Sequence, residues 1–393
     1  MDLSYGGKYD AFLETLREFI REHAGEAPKN GEVVLEQAKA WQRLLIKHGY
    51  AARTIPKEYG GCGLAPDIIE SRLMAEEFAR AQVSPGLGGQ GISFLAPVLL
   101  ERGTEELRKR FIPPTIRGEM LWCQGYSEPN AGSDLASIST RADLDGDEWV
   151  INGQKIWTSG AKSSDWMFCL VRTEPNAPKH QGISFLLLDV KSPGIDIRPI
   201  KTMTGETFFN EVFFTDVRVP KDQIVGKPGE GWAIANAVLR YERDSLGDPD
   251  ETLRRLNSLI DLMKYETVDD RRIIDNPVYL DRLMRIQARV MALRCNDLRL
   301  LSAQLNGHEA ALATMVVKLQ GTELRHELEG LAIDALGELG ILYDDGPYLR
   351  DLGSWQRGYM FYLGLIIGGG TSQIQKNIIS ERGLGMPREP KAR

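Results

Sequence analysis

Cysteine and histidine are scarce. The 393 residues hold four cysteines, Cys62, Cys123, Cys169 and Cys295, tens of residues apart and with no C-x-x-C pair. That spacing excludes a disulfide framework and a cysteine zinc site, leaving reduced thiols or small buried hydrophobes. The five histidines, His23, His48, His180, His308 and His326, show no metal-ligand spacing and stand near no signature serine or cysteine. No metal centre and no Ser-His or Cys-His nucleophile is expected. Long hydrophobic runs are missing too. The longest, Phe361 to Ile367, falls far short of the roughly 20 residues that a membrane-spanning helix needs. Lys and Arg number 48 against 55 for Asp and Glu, a formal charge of -7, and no basic block is dense enough to track a phosphate backbone. The opening residues Met1 to Gly7 lack the charged flank and apolar centre of a leader peptide, so a cytoplasmic setting is expected. No G-x-G-x-x-G follows a β-like run, and strands do not alternate with helices, which excludes a doubly wound dinucleotide fold.

What is present divides by hydrophobic period. Phe12, Leu13, Leu16, Phe19 and Ile20 recur at three-and-four spacing, the stripe of an amphipathic helix, and residues 1–120 read as a helical domain. Residues 121–225 read as a β-barrel-like domain. Its strands are expected at Glu148–Ile151, Trp166–Val171, Ile183–Val190 and Val212–Val219, with Asp145-Gly146 and Asn152-Gly153 as hairpin turns. Residues 226–393 return to long helices, Pro277–Leu305, His308–Leu342 and Ser354–Ile367 among them, and read as a four-helix-bundle domain. The fold class is α+β multidomain.

Two segments of the β domain carry chemistry. Tyr126-Ser127-Glu128-Pro129-Asn130-Ala131-Gly132-Ser133-Asp134 is followed after one hairpin by Gln154-Lys155-Ile156-Trp157-Thr158-Ser159-Gly160. Hydroxyls, small residues and turn formers suit a polar ring or pyrophosphate, and the tryptophan offers an aromatic wall. The same residues would also serve as two surface loops, and Ser133 as a helix cap before Leu135.

In order and spacing this pair resembles the flavin-binding signature of the acyl-CoA dehydrogenase family. The likeness extends to Pro56–Gly63, Asp216–Pro220 and Gly370–Asn377, so it covers nearly the whole chain. It implies FAD as cofactor, with Tyr126, Ser127 and Ser133 on the ring and substrate side, Trp157 against the flavin, and Ser159 near N5. Thr371 and Gln373, at the start of the C-terminal helix, are further implied cofactor residues. In familiar members a glutamate stands two residues before the position of Thr371; here that position is Gly369. A branch that includes isovaleryl-CoA and long-chain dehydrogenases places its carboxylate on an earlier helix before an arginine, as in Tyr241-Glu242-Arg243. Glu242 is thereby the implied base for removing a proton α to the thioester. Gly369 supplies room and a backbone N–H for the developing enolate oxygen, and Arg243 and Ser133 lie on the substrate side.

The adenine side departs from the family. Asp334–Gly340 stands where a Gln-x-x-Gly-Gly motif belongs, and Arg271 is the nearest match to the expected arginine. Bacterial relatives acting on steroid side chains join two unlike subunits, so the resemblance implies either a homotetramer or a heterotetramer. It further implies a branched, long or bulky acyl-CoA as substrate and an electron-transfer flavoprotein as acceptor, with dioxygen the acceptor in an oxidase. A catalytically silent subunit and a flavin monooxygenase are the contrasting readings; neither accounts for Glu242.

Overall fold

The apolar stripe near the start of the chain becomes helix α1 (Asp10–His23), which buries Leu16, Phe19 and Ile20 against Trp41 and Leu45 of α2 (Leu35–Lys47) and Phe78 of α3 (Ile68–Arg80). Each fully buried side chain of this size contributes about 1.5–3 kcal/mol. The Asp67 carboxylate starts α3 by accepting from the backbone N–H groups of Ile69 and Glu70. A π-helical turn, Gln90–Leu95, runs into α4 (Ala96–Arg102), and α5 (Glu105–Ile116) follows behind a Thr104 cap. The computed structural model describes residues 7–28, 35–245, 247–268, 270–308, 311–343 and 346–388.

The strands are β1 (Trp122–Gly125), β2 (Arg141–Asp145), β3 (Glu148–Lys155), β4 (Trp166–Arg172), β5 (Ile183–Asp189), β6 (Ile195–Ile200), β7 (Phe209–Pro220) and β8 (Ile224–Val225). They form one sheet in the order β6-β7-β3-β2-β4-β5-β8, with β1 parallel to β4. Asp145-Gly146 lies in the tight β2–β3 hairpin, as its composition predicts. Asn152-Gly153 does not turn the chain. β3 continues through it, paired with β7, and absorbs the extra residue as a bulge between Ile151 and Gly153. The Asn152 side chain bonds Asp216 across the pair, and a Cβ on Gly153 would lie 2.6 Å from the Thr140 hydroxyl. Long-range pairing here overrides a local turn preference.

Helices α6 (Gly231–Ser245), α7 (Pro249–Tyr265), α8 (Pro277–Leu305), α9 (Ala311–Leu336), α10 (Ser354–Ile367) and α11 (Ser372–Ile378) complete the chain. Leu256, Leu283, Ile286, Leu328, Leu331 and Trp355 form the core of α7 to α10. The helix expected to reach Leu342 ends at Leu336, because Gly337 adopts φ +56° and the chain tightens into a 3-10 turn. The chain divides into two compact units: residues 1–200 with 207–238, and residues 201–206 with 239–393. No helix among the described residues is long and apolar enough to cross a membrane.

Candidate functional site

In the first unit, the two motif segments are tied together by a buried ion pair. Lys155 ends β3 with none of its surface exposed; its Nζ donates to the Tyr126 carbonyl at 3.1 Å and to Glu128 Oε1 at 2.8 Å. Glu128 also accepts from the Ser139 N–H at 2.6 Å, the Ser139 hydroxyl at 2.9 Å and the Thr140 N–H at 2.9 Å. Burial by itself would raise the Glu128 pKa. The charge of Lys155 and these hydrogen bonds outweigh it and bring the carboxyl down to about 2. The backbone of Ile156 donates to the Ser127 carbonyl at 2.9 Å, so the two segments lie side by side.

That frame holds Trp157 in an uncommon conformation. Its φ is +59°, a left-handed state that a tryptophan adopts only when its surroundings compel it. Thr158 on one side exchanges backbone hydrogen bonds with Asn210, and Gly160 donates to the Phe208 carbonyl. The result is an indole 56% exposed, edge-on to Phe209 and accompanied by Phe208 at 53%. Beside this aromatic ledge, the Thr158 Oγ1 and Asn210 Oδ1 atoms are buried without a hydrogen-bond partner. Among the described residues, the hydroxyls of Ser127, Ser133 and Ser159 likewise find no protein partner. An exposed aromatic surface bordered by unspent polar groups fits a flat ring system with polar edges, as a flavin is. The ring of Tyr126 turns the other way, edge-on to Phe168 and Phe185, and its carbonyl serves Lys155. Ser133 is exposed; the three-residue turn that follows is preceded by Asp134, which accepts from Ser137 and pairs with Lys179.

In the second unit, α10 ends at Ile367 and the chain passes through Gly369 at φ +64° and Gly370 at φ +96° before Thr371 caps α11 by accepting from the Ile374 N–H. The Gln375 side chain donates to the Gly369 carbonyl at 3.1 Å. Lys318 of α9, only 2% exposed, donates to the Ile366 carbonyl at 3.2 Å and the Gly370 carbonyl at 2.7 Å, gripping the glycine loop from both ends. Burial brings Lys318 down to about 8, while the negative charges of Glu323 and Glu242 act in the opposite direction. Glu242, half-buried on α6, therefore stands within electrostatic reach of the lysine that holds the glycine loop. The Gly369 N–H meets no backbone acceptor among the described residues, and the Ser372 hydroxyl is buried without a partner. Gln373 is exposed, as is Arg271, which lies opposite Val268 in a two-residue strand. The side chain of Arg243 lies outside what the structure describes. Of the residues that the resemblance puts on the adenine side, Asp334 pairs with Arg282 at 2.8 Å and Glu338 is exposed.

Four residues of this arrangement have no assigned role from the sequence alone: Glu128, Lys155, Lys318 and Gln375. A usable signal existed for Lys318, which interrupts the apolar run Met315-Val316-Val317-Lys318-Leu319. A lysine on a face that must be buried needs partners.

Three family profiles match the chain in order: acyl-CoA dehydrogenase, N-terminal domain, over residues 8–119; middle domain, over 123–217; and C-terminal domain, over 229–384. The acyl-CoA dehydrogenase IpdE1 of Mycobacterium tuberculosis is 40% identical over 368 residues, covering 93% of this chain and 92% of that one. Among solved structures, the ChsE4-ChsE5 complex from Mycobacterium tuberculosis superposes with a TM-score of 0.82 at 31% identity, covering 99% of this chain and 100% of that one. The Tcur3481-Tcur3483 steroid ACAD does so with a TM-score of 0.81 at 29% identity, with the same coverage.

Proposed function

The chain belongs to the acyl-CoA dehydrogenase family, whose members are flavoproteins, and from that premise we propose that it introduces a trans-2,3 double bond into a bulky CoA thioester with Glu242 as the base. The observation that carries this reading is the Lys318 cluster: one buried cation grips the Gly368–Gly370 loop and feels the charge of Glu242. Sequence positions 242 and 369 thus answer each other, a carboxylate on the earlier helix and no side chain where the familiar base would stand.

The FAD supplies the acceptor for the hydride that leaves the β carbon. The chain's own residues do the rest. Glu242 takes the α proton, a transfer for which a positioned base contributes about 10²- to 10⁴-fold. The unspent N–H of Gly369 donates to the thioester oxygen as negative charge develops there, and Lys318 holds that N–H in place through the flanking carbonyls. By the resemblance, Ser127 and Ser159 would offer hydroxyls to the polar edge of the ring and Trp157 would pack against it, and Thr371 and Gln373 would be further cofactor residues.

We further assign an unlike subunit as partner and an electron-transfer flavoprotein as acceptor. The resemblance puts the pyrophosphate near Asp334 and Glu338, whose carboxylates are not donors to it, and this supports a partner that completes that half. On α8, Met284, Met291, Leu298 and Leu305 follow one another at intervals of seven and are 46, 42, 41 and 54% exposed. An apolar stripe of that period is the seam of a helix that packs against another. The two structural relatives, the ChsE4-ChsE5 complex and the Tcur3481-Tcur3483 steroid ACAD, are each named for two components, in keeping with such an assembly.

Glu242→Gln tests the chemistry. The variant should retain flavin and bind acyl-CoA, while anaerobic bleaching of the flavin by substrate slows by about 10³-fold, roughly 4 kcal/mol of barrier. Undiminished bleaching removes Glu242 from the mechanism, and oxygen uptake during turnover would replace the flavoprotein acceptor with dioxygen.

A further inference from the structure

An amphipathic helix turns its apolar stripe inward, and α9 does so along Leu324, Leu328 and Leu331. A second buried stripe on the same helix is polar. Lys318, Thr322, Arg325 and Glu329 follow one another at intervals of four, three and four, which places them on one side of the helix, and all four are buried. Burying three charges costs free energy unless each is paired, so this stripe needs partners along its whole length.

α10 and Arg255 of α7 supply them. Arg255 forks onto Glu329, with Nε 2.9 Å from Oε1 and Nη2 2.7 Å from Oε2, and Arg325 Nε adds a bond at 2.8 Å. Through Nη1 the same Arg255 donates to the Ser354 hydroxyl at 3.2 Å, and its guanidinium lies 3.4 Å from the centre of the buried Trp355 ring. At Gly358 the backbone of α10 rests on the carboxylate itself: a Cβ there would fall 2.8 Å from Glu329 Cδ. Arg325 faces the Tyr362 ring at 4.8 Å, and Lys318 finishes the row at the Ile366 and Gly370 carbonyls. Ser354, Gly358, Tyr362 and Ile366 fall about one per turn, so the polar stripe accompanies α10 from its first turn to its last.

The start of α10 is constrained as well. The chain enters it through Asp351, Leu352 and Gly353 at φ 48°, 52° and 74°, and a leucine holds a left-handed backbone only where its surroundings compel it. The Trp355 indole donates to the Asp351 carboxylate, which ties that turn to the ring beneath Arg255. Apolar stripes would fit one another at more than one axial position, because hydrophobic contact has no direction. A polar stripe does not. A slip of one turn, about 5.4 Å, would take Ser354 and Trp355 off Arg255 and the two carbonyls off Lys318, leaving buried charge without partners. Gly369 stands two residues beyond the end of α10, so the axial position of this helix sets where the Gly369 N–H lies.

We propose that Glu329 is a positioning residue of the reaction: by organising Arg255 and Arg325 against α10 it fixes the axial register of that helix, and with it the Gly369 N–H that receives the thioester oxygen. The inference rests on the dehydrogenase reading above and adds a residue that sets the oxyanion donor from a distance, about 16 Å along α9 from Lys318 at 1.5 Å rise per residue. Lys318 holds the loop; Glu329 holds the helix that delivers it. A displacement of about 1 Å in a positioned group costs up to about 10²-fold in rate, so a small axial shift suffices.

The experiment uses the holoprotein, with any subunit that copurifies. Two variants loosen the grip in different ways: Glu329→Gln removes the charge and keeps the shape, whereas Gly358→Ala keeps every charge and pushes α10 off the carboxylate that two arginines hold in place. Thr322→Val is the control, because its hydroxyl donates within its own helix, to the Lys318 carbonyl at 2.9 Å. The thioester is chosen from branched, long-chain and bulky CoA thioesters by its ability to bleach the parent's flavin. One readout needs no turnover: in the Glu242→Gln background, infrared difference spectra of the bound thioester, labelled at its carbonyl, report the hydrogen bond at that oxygen as a downshift of the C=O stretch. Glu329→Gln and Gly358→Ala should each lose at least half of the downshift, and Thr322→Val should keep it. With Glu242 restored, anaerobic bleaching should slow by about tenfold in both variants at an unchanged half-saturating thioester concentration, the mark of an interaction made in the transition state. A full downshift in Gly358→Ala overturns the role, whether or not Glu329→Gln folds, and so does slower bleaching that more thioester restores. If no thioester bleaches the parent, the dehydrogenase reading fails and the positioning role with it; if the parent is bleached and both variants match it, only the positioning role fails.

Discussion

Among the described residues, each half of the chain buries one lysine beside a motif loop, and the two are held in opposite ways. Lys155 meets a carboxylate in direct contact, and Glu128 in turn collects three more donors, so both charges are satisfied on the spot. Lys318 meets two carbonyl oxygens; the carboxylates that act on it, Glu323 and Glu242, act through charge at a distance. A fully paired ion is a scaffold whose removal leaves a bare charge behind. A cation held by dipoles keeps its field for something else, and at Lys318 that something is the glycine loop and the proposed base.

The largest effect should come from breaking the paired ion. Lys155→Met leaves Glu128 buried with hydrogen bonds and no counter-charge, and should cost about 3–5 kcal/mol in denaturant unfolding, with flavin lost as the two segments separate. A double variant, Glu128→Gln with Lys155→Met, should recover part of that loss; no recovery would mean that Lys155 contributes through packing. The pair also sets an acid limb. Glu128 titrates at about 2 folded against 4.5 for the free side chain. Its contribution is therefore complete above 4.5 and disappears as pH falls toward 2.

Lys318 gives a slope of the same sign at the alkaline end, but there it reports a cost of burial at neutral pH rather than a gain. Its folded value of about 8 lies below the ordinary 10.5, so between those values the unfolded chain binds the extra proton and stability rises with pH. Lys318→Met should abolish that alkaline rise and change stability at neutral pH by only about 1 kcal/mol, since two lost hydrogen bonds are offset by a charge no longer buried. Its cost should appear in the reaction instead: anaerobic bleaching slower by about tenfold, with Lys318→Arg restoring only part because a planar fork cannot reach both carbonyls in the same way. A loss of several kcal/mol without a change in bleaching would make Lys318 a second scaffold and dissolve the contrast.

The same contrast explains what could be read in advance. Helices α8 and α10 run from Pro277 to Leu305 and from Ser354 to Ile367, with the bounds their punctuation predicts. Asn276 caps one, and Gly353 and Gly368 frame the other, so the stop and start signals are local. Asn152-Gly153 misleads for the opposite reason: its fate depends on β7, some sixty residues away. Glu128 and Lys155 were visible as letters of a motif, but a lysine in a strand of alternating pattern reads as an outward-facing residue, and its partner lies 27 positions back. Lys318 is harder still, because its acceptors are backbone carbonyls that have no sequence identity. Patterns in a sequence report faces and ends; they do not report which buried charges find each other.

Trp157 gives the smallest effect in stability and the finest test of what the paired ion is for. If the Lys155–Glu128 frame exists to force the indole outward, the left-handed backbone of Trp157 stores about 1–3 kcal/mol of strain that a glycine would release. Glycine also gains freedom in the unfolded chain, which offsets about 0.5–1 kcal/mol of that relief. An indole 56% exposed contributes little burial to lose. Trp157→Gly should therefore unfold within about 1 kcal/mol of the parent when both are stripped of flavin, yet retain less flavin on dilution. Trp157→Phe should hold more flavin than the glycine variant while keeping the strain. A drop of several kcal/mol in the stripped protein would show that the indole is a packing residue of the sheet. The ledge would then lose its strongest argument, since strain at an exposed aromatic side chain is retained only where something outside the fold uses it.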